Sequence, residues 1–184
     1  TKQMGEEIIS NSARAGTIKA ISLRYFNPIG AHPSSLIGEL PRGVPSNLVP
    51  FMTQVVSGIQ DKLIVFGNDY PTADGTSIRD YVHVVDLAKA HVAALKLLDK
   101  NSIGYYDFFN IGTGQGKSVM ELIKAFEKAT GEKVSYQIGP KRMGDVMSTY
   151  ASSEKAKRQL GWTADKTIEQ ALIDAWAWQK TLNK

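Results

Sequence analysis

Apolar residues recur along this chain with two periods, and the two periods alternate. Lys2 to Ala15 carries Met4, Ile8 and Ile9 without a proline. That predicts a helix already under way at residue 1 and ended by Gly16. Ile18 to Phe26 is almost continuous in apolar and β-favouring residues, the pattern of a parallel strand buried on both faces. Ser46-Asn47 opens a short helix through Phe51, Val55 and Val56, closed by Gly58, and Leu63 to Phe66 is a short strand. Asp86 is placed to cap a helix with Leu87, His91, Ala94, Leu95 and Leu98 on one face. Asp107 to Ile111 is a further buried strand. Ser118-x-x-Glu121 is a capping box for a helix with Val119, Leu122, Ile123 and Phe126, stopped by Gly131. Val134 to Ile138 is a strand, and Ser153 to Leu160 a short helix closed by Gly161. Thr167-x-x-Gln170 caps a last helix with Ile168, Ala171, Leu172, Ala175 and Leu182 inward.

Helices and strands in alternation predict an α/β protein. The opening helix leads straight into a strand that needs parallel neighbours, and few strands here could supply them. The sequence therefore reads as the tail of a larger sheet.

Composition narrows the picture. The 184 residues are 42% hydrophobic and 22% charged, as in a soluble globular protein. With no cysteine there is no disulfide and no thiolate zinc site, which fits a reducing compartment. No apolar run reaches membrane-spanning length, and no secretory signal is visible. The net charge of +4 comes from scattered Lys and Arg mixed with acids. That argues against nucleic acid and for a small polyphosphate ligand.

Most familiar chemical motifs are missing. Gly112-Thr113-Gly114-Gln115-Gly116 lacks the spacing of a dinucleotide loop and reads as a tight strand-to-helix turn. There is no zinc-protease motif, calcium loop or nucleophile elbow. His32, His83 and His91 have no metal-like spacing; His91 reads as a core residue and His83 as a local partner near Asp86.

The informative series is Leu23-Arg24-Tyr25-Phe26-Asn27-Pro28-Ile29-Gly30-Ala31-His32-Pro33, then Gly38-Glu39, Gly43-Val44-Pro45-Ser46-Asn47-Leu48, Phe66-Gly67-Asn68-Asp69-Tyr70-Pro71-Thr72, and Arg79-Asp80-Tyr81-Val82-His83-Val84-Val85-Asp86-Leu87-Ala88. It resembles the UDP-glucose 4-epimerases of the extended short-chain dehydrogenase/reductase family. The R-Y-F-N and R-D-Y-V-H pieces are shared widely among nucleotide-sugar enzymes of that family. The G-A-H-P and F-G-N-D-Y-P-T pieces are more specific to the glucose epimerases. The resemblance runs from Lys2 to Trp176-x-Trp178-Gln179, with the character of a C-terminal half.

The resemblance implies a set of roles. The family's catalytic pair is Y-x-x-x-K on one helix, and Thr1-Lys2-Gln3-Met4 matches its end, so Lys2 falls on the lysine. Its tyrosine would lie before Thr1, as would the Gly-rich loop for NAD. Tyr25 and Phe26 would line the nicotinamide. Asn27, Tyr81 and Asn47, with the backbone of Leu48, would bind substrate. Phe66 matches the uracil-binding strand end, and Asp145 a carboxylate on the ribose hydroxyls. Arg79 and Arg142 would grip the diphosphate, where charge-assisted bonds are strong. Taken singly, Arg79 could be a surface partner of Asp80, Asn47 only a helix cap and Phe66 only core. Thr149 stands where some members carry a bulky tyrosine, which implies acceptance of N-acetylated UDP-hexoses.

By the same resemblance, residues 1–27 and 79–112 belong to a doubly wound, Rossmann-type NAD domain, and residues 28–78 and 113–184 to the smaller substrate domain. The implied reaction is interconversion of UDP-galactose and UDP-glucose by transient oxidation at C4. A tyrosinate, favoured by the nearby ammonium, takes the O4 proton. The implied setting is a cytoplasmic homodimer. The 184 residues alone are expected to hold UDP without epimerising it. Rival readings are a UDP-N-acetylglucosamine epimerase, a related dehydratase, and a non-catalytic nucleotide-sugar-binding module.

Overall fold

The computed structural model describes residues 1–182. Six helices and eight short strands alternate along them: α1 (Lys2–Arg14), β1 (Ala20–Tyr25), β2 (Asn27–Ile29), α2 (Leu48–Val56), β3 (Leu63–Phe66), β4 (Ile78–His83), α3 (Val84–Asp99), β5 (Tyr106–Ile111), β6 (Gly116–Ser118), α4 (Val119–Thr130), β7 (Tyr136–Gly139), β8 (Ser148–Thr149), α5 (Glu154–Leu160) and α6 (Ile168–Leu182). This is the α/β class that the alternating periods predict. No helix among the described residues is long and apolar enough to cross a membrane.

The strands pair across long stretches of chain. β1 runs parallel to β5, with Ala20 opposite Tyr106 and Tyr25 opposite Ile111. β3 runs parallel to β7. β4 pairs with β2 in parallel over Tyr81 to His83, with β6 in antiparallel over Ile78 to Asp80, and with β8 in parallel over Ile78 and Arg79. Alternate residues of β4 serve different cores, because successive side chains of a strand point to opposite faces. Tyr81 joins Val49, Met52, Leu122, Ile123, Phe126 and Leu172 between α2, α4 and α6. Val82 joins Leu87, Phe109, Ile111 and Trp162 between α3, β5 and α5. Each large apolar side chain so buried contributes about 1.5–3 kcal/mol by leaving water.

Helix ends follow the sequence signals closely. Ser118 accepts from the Glu121 N–H at 3.0 Å while Glu121 accepts from the Ser118 N–H at 2.9 Å, a complete capping box. Thr167 Oγ1 accepts from the Gln170 N–H at 3.1 Å at the start of α6. Gly131 and Gly161 end α4 and α5 with left-handed φ of 78° and 62°.

Four expectations are corrected. The run from Ile18 to Phe26 does form one strand, β1, but not one buried on both faces: Tyr25 at its end is 49% exposed, and a separate strand, β2, begins just past the run at Asn27 with a different partner. Among the described residues β1 has only β5 beside it, which leaves it half-buried. The cap of α3 is His83, whose Nδ1 accepts from the Val85 N–H at 3.0 Å. Asp86 sits inside the first turn, fully buried, and accepts from the N–H groups of Asp165 and Lys166 at 2.9 and 2.8 Å. The inward stripe of α3 is therefore Leu87, Ala90, Ala94 and Leu97. That stripe turns Leu95 and His91 outward, so His91 is no core residue; its Nδ1 bonds the Leu87 carbonyl at 2.9 Å.

Candidate functional site

The alternation of β4 that sends Val82 to one core sends Arg79 and Tyr81 to the wall of a cavity of about 340 Å³. The parallel register of β2 places Asn27 opposite Tyr81. The first turn of α2 adds Asn47 and Leu48, the end of β3 adds Phe66, and the segment after β7 adds Arg142 and Asp145. Five separate stretches of sequence thus converge on one concave site. Every residue expected to contact substrate lines it except Thr149, which is exposed on β8 opposite Arg79. Ser46 and Val119, which the sequence marks only as a helix start and a helix-face residue, also line the cavity, as does Ser77, which carries no sequence signal.

The site is electrostatically positive at one end. Arg79 donates through Nη1 to the Ile78 carbonyl at 2.7 Å and forms an ion pair through Nη2 with Asp145. It does not pair with Asp80, which is fully buried elsewhere. The Arg142 guanidinium lies 3.9 Å from the centre of the Phe66 ring. Among the described residues Arg142 has no carboxylate partner, so its donors stay available while the ring fixes the plane of the fork. Burial pushes the Tyr81 phenol well above its ordinary range, against the favourable influence of Arg79, and Asp145 adds to the rise. The phenol therefore remains a neutral hydrogen-bonding group at any working pH.

The helix start belongs to the site as well. Asn47 is the N-cap residue of α2, with an extended backbone, yet its side chain caps nothing. Its amide instead donates to Glu39 Oε1 at 3.1 Å. Glu39 is itself held by the Trp178 indole, which donates to its carbonyl at 2.8 Å. The first-turn N–H groups of α2 are left without a side-chain cap at the cavity wall, and the first turn carries no acid. Free N–H groups, the positive end of a helix dipole and two guanidinium groups together suit a phosphate.

A second cavity of about 740 Å³ adjoins the first and shares Pro28, Ile29 and Asn47 with it. Tyr25, Val84 and His91 lie on its wall. Phe26 is half-buried at the step from β1 to β2, its N–H donating to the Ile111 carbonyl at 3.0 Å. Lys2 is exposed in the first turn of α1 and lines neither cavity. Among the described residues no group of His, Asp and Glu is arranged to hold a metal ion.

Known proteins with this arrangement point one way. The profile of the NAD dependent epimerase/dehydratase family matches residues 1–112. The chain is 50% identical over 182 residues to the UDP-glucose 4-epimerase of Bacillus subtilis, covering 98% of this chain and 53% of that protein. The crystal structure of UDP-glucose 4-epimerase from Stenotrophomonas maltophila, with bound NAD and formylated UDP-arabinopyranose, superposes with a TM-score of 0.94 at 46% identity, over 99% of this chain and 54% of that one. The Bifidobacterium longum UDP-glucose 4-epimerase, in complex with NAD+ and UDP, gives 0.87 at 43% identity, over 98% and 52%. The chain spans about half the length of the relatives it matches. A family profile over more than half of the residues, and a fold shared nearly end to end with its members, mean that this chain belongs to the NAD dependent epimerase/dehydratase family.

Proposed function

We propose that this chain is the substrate-holding half of a UDP-hexose 4-epimerase, an enzyme that interconverts UDP-galactose and UDP-glucose with bound NAD. The observation that carries the reading is the convergence of Arg79, Arg142, Asp145, Phe66 and the uncapped start of α2 on one cavity. Diphosphate belongs between Arg142, Arg79 and the α2 N–H groups, and the ribose diol beside Asp145. The uracil lies toward the end of β3 at Phe66, and the hexose reaches Asn27 and Tyr81. A grip concentrated on UDP leaves the sugar free to present either face. That freedom is what an enzyme inverting one carbon requires.

The adjoining cavity suits the nicotinamide end of NAD, since Tyr25 lines it and it shares Pro28 and Asn47 with the first cavity. Of the three residues that the family resemblance assigns to the cofactor, Tyr25 lines this cavity and would hold that ring; Phe26, on its ring, and Lys2, on the ribose next to it, lie outside the cavity wall. Hydride exchange at the sugar's C4 is the chemistry such a cofactor supplies when bound. The 184 residues contain no tyrosine on the helix of Lys2 and no glycine-rich dinucleotide loop, so taken alone they bind UDP without catalysing epimerisation. Residues 1–27 and 79–112 form the cofactor-side layer of this reading, and residues 28–78 and 113–184 the substrate side. Pairing of two copies would use α1, where Met4 and Ile8 are 64% and 65% exposed.

Calorimetric titration tests the reading. UDP should bind one to one, and Arg142→Ala should weaken it by about tenfold or more, the effect of losing a charge-assisted bond of about 1.5–3 kcal/mol. Thr149 lies off the cavity wall, on β8 opposite Arg79, and puts no bulky side chain beside the hexose, so UDP-N-acetylglucosamine should bind within about threefold of UDP-glucose, a difference of under 1 kcal/mol. Failure to bind UDP at all would remove the basis for the proposal, and rejection of the N-acetylated sugar alone would remove only the role of Thr149.

A further inference from the structure

Asp80 is a fully buried carboxylate between two residues of the cavity wall, Arg79 and Tyr81, and it faces away from both. No lysine, arginine or histidine pairs with it among the described residues. A buried charge without a counter-charge is expensive unless hydrogen bonds replace its water. Here they do. Oδ1 accepts from the Thr113 N–H at 2.9 Å and the Thr113 hydroxyl at 2.6 Å. Oδ2 accepts from the Gly114 N–H at 2.9 Å and the Ala151 N–H at 3.0 Å. A carboxylate has about four acceptor positions, and all four are filled by donors from two other segments of chain.

Those two segments differ in what they carry. One is the glycine turn between β5 and β6. Gly112 must lack a side chain for the carboxylate to fit, since a Cβ there would lie 2.5 Å from Asp80 Oδ2 and 2.7 Å from Ala151 Cβ. The other is the stretch from Lys141 to Ala151, which brings Arg142 and Asp145 to the cavity. That stretch is mostly exposed, with Met143, Val146, Met147 and Tyr150 open to solvent, and so has little apolar burial to hold it. Its attachments to β4 are the two-residue pairing of β8, the Ile78 N–H to the Met147 carbonyl at 2.8 Å, the Arg79–Asp145 ion pair, and the bond from Ala151 to Asp80. Ala151, 6% exposed, is where the stretch re-enters the protein.

From this geometry we infer that Asp80 is the positioning residue of the nucleotide grip: it ties the Arg142–Asp145 stretch and the glycine turn to the strand that carries Arg79. The ligand side of this inference rests on the UDP reading above. Asp80 touches no ligand. It sets the distance between two arginines carried by segments far apart in sequence. Asparagine is not a conservative replacement, because one of its ends is a donor and would meet N–H groups already pointing inward.

The experiment pairs UDP calorimetry with amide hydrogen exchange on the 184-residue chain, its Asp80→Asn and Thr113→Val variants, and an Ile123→Val control. Ile123 is buried in α4 and does not line the cavity, so its variant reports the effect of a small loss of core packing. Asp80→Asn should weaken UDP binding by about tenfold or more and accelerate exchange over residues 142–151 and 112–116, but not over α1 and β1. Thr113→Val, which keeps the charge and removes one donor, should weaken binding by about two- to fivefold, and it decides the matter if Asp80→Asn does not fold. Ile123→Val should lower the melting temperature yet keep the affinity within about twofold. A folded Asp80→Asn protein with unchanged affinity, or with unchanged exchange over 142–151, overturns the inference. Loss of affinity in Ile123→Val equal to that in Asp80→Asn does the same. If the unaltered chain fails to bind UDP, the functional reading falls, while the exchange pattern still decides whether Asp80 holds the stretch.

Discussion

Burial of His83 makes the stability of the protein depend on pH in one direction. The ring is fully shielded; its Nδ1 accepts from the Val85 N–H, so Nε2 carries the proton and donates to Asp174 at 3.1 Å. Desolvation pulls its pKa below the ordinary value, and Asp174 only partly opposes that. The unfolded chain titrates near pH 6.5. As pH falls below that value the unfolded state takes up a proton that the folded state refuses, so stability present above about pH 6.5 is lost on the way down. The lowered carboxylates Asp74 and Asp86 act below the ordinary carboxylate range and leave this window clear. Urea midpoints should therefore fall between about pH 7.5 and 5.5. They should fall less in His83→Asn, which keeps an N-cap acceptor; equal slopes would contradict the assignment. Sequence alone placed His83 near a cap but gave the cap to Asp86, because a partner as distant as Asp174 leaves no local pattern. Asp80 was hidden for the same reason. It stands next to Arg79 in a recognisable motif, and only the fold shows that the two serve opposite sides of one strand.

At the scale of elements, most of what is encoded within one turn of chain was legible, the cap of α3 excepted. The Ser118–Glu121 box, the Thr167 cap and the closing glycines lie where their signals put them. Ser118 does more than cap, since its hydroxyl also bonds Asp74. Ser118→Ala should cost about 1–2 kcal/mol, readable as a lower urea midpoint with an unchanged slope. A loss below a few tenths of a kcal/mol would mean that the box is ornamental. Strands were less legible. β4, β6 and β8 pair through partners dozens of residues away, and β6 and β8 are only three and two residues long, too short for an alternating pattern to declare itself. β2 was missed because its three residues, Asn27-Pro28-Ile29, are too few for an alternating pattern and include a proline, while the pairing partner changes from β5 to β4.

At the scale of the molecule, β4 is the organising strand. Tyr81 and Val82 divide its faces between two cores, and the cavity lies where the first core opens toward β2, α2 and the stretch from Arg142 to Asp145. The candidate site was largely legible because the residues that build it sit in short, distinctive motifs. What the sequence could not give was their mutual geometry. Arg79 is already engaged with Asp145, Arg142 is laid on Phe66, and Asn47 is turned from its own helix to Glu39. The arrangement proposed above as a nucleotide grip is assembled from parts of the chain that meet only in the folded state. A crystal structure of this chain with UDP tests that claim most directly. The account predicts the diphosphate between Arg142 and Arg79, the ribose on Asp145 and the uracil beside Phe66; UDP bound outside this cavity, or absent from it at saturating concentration, would contradict it.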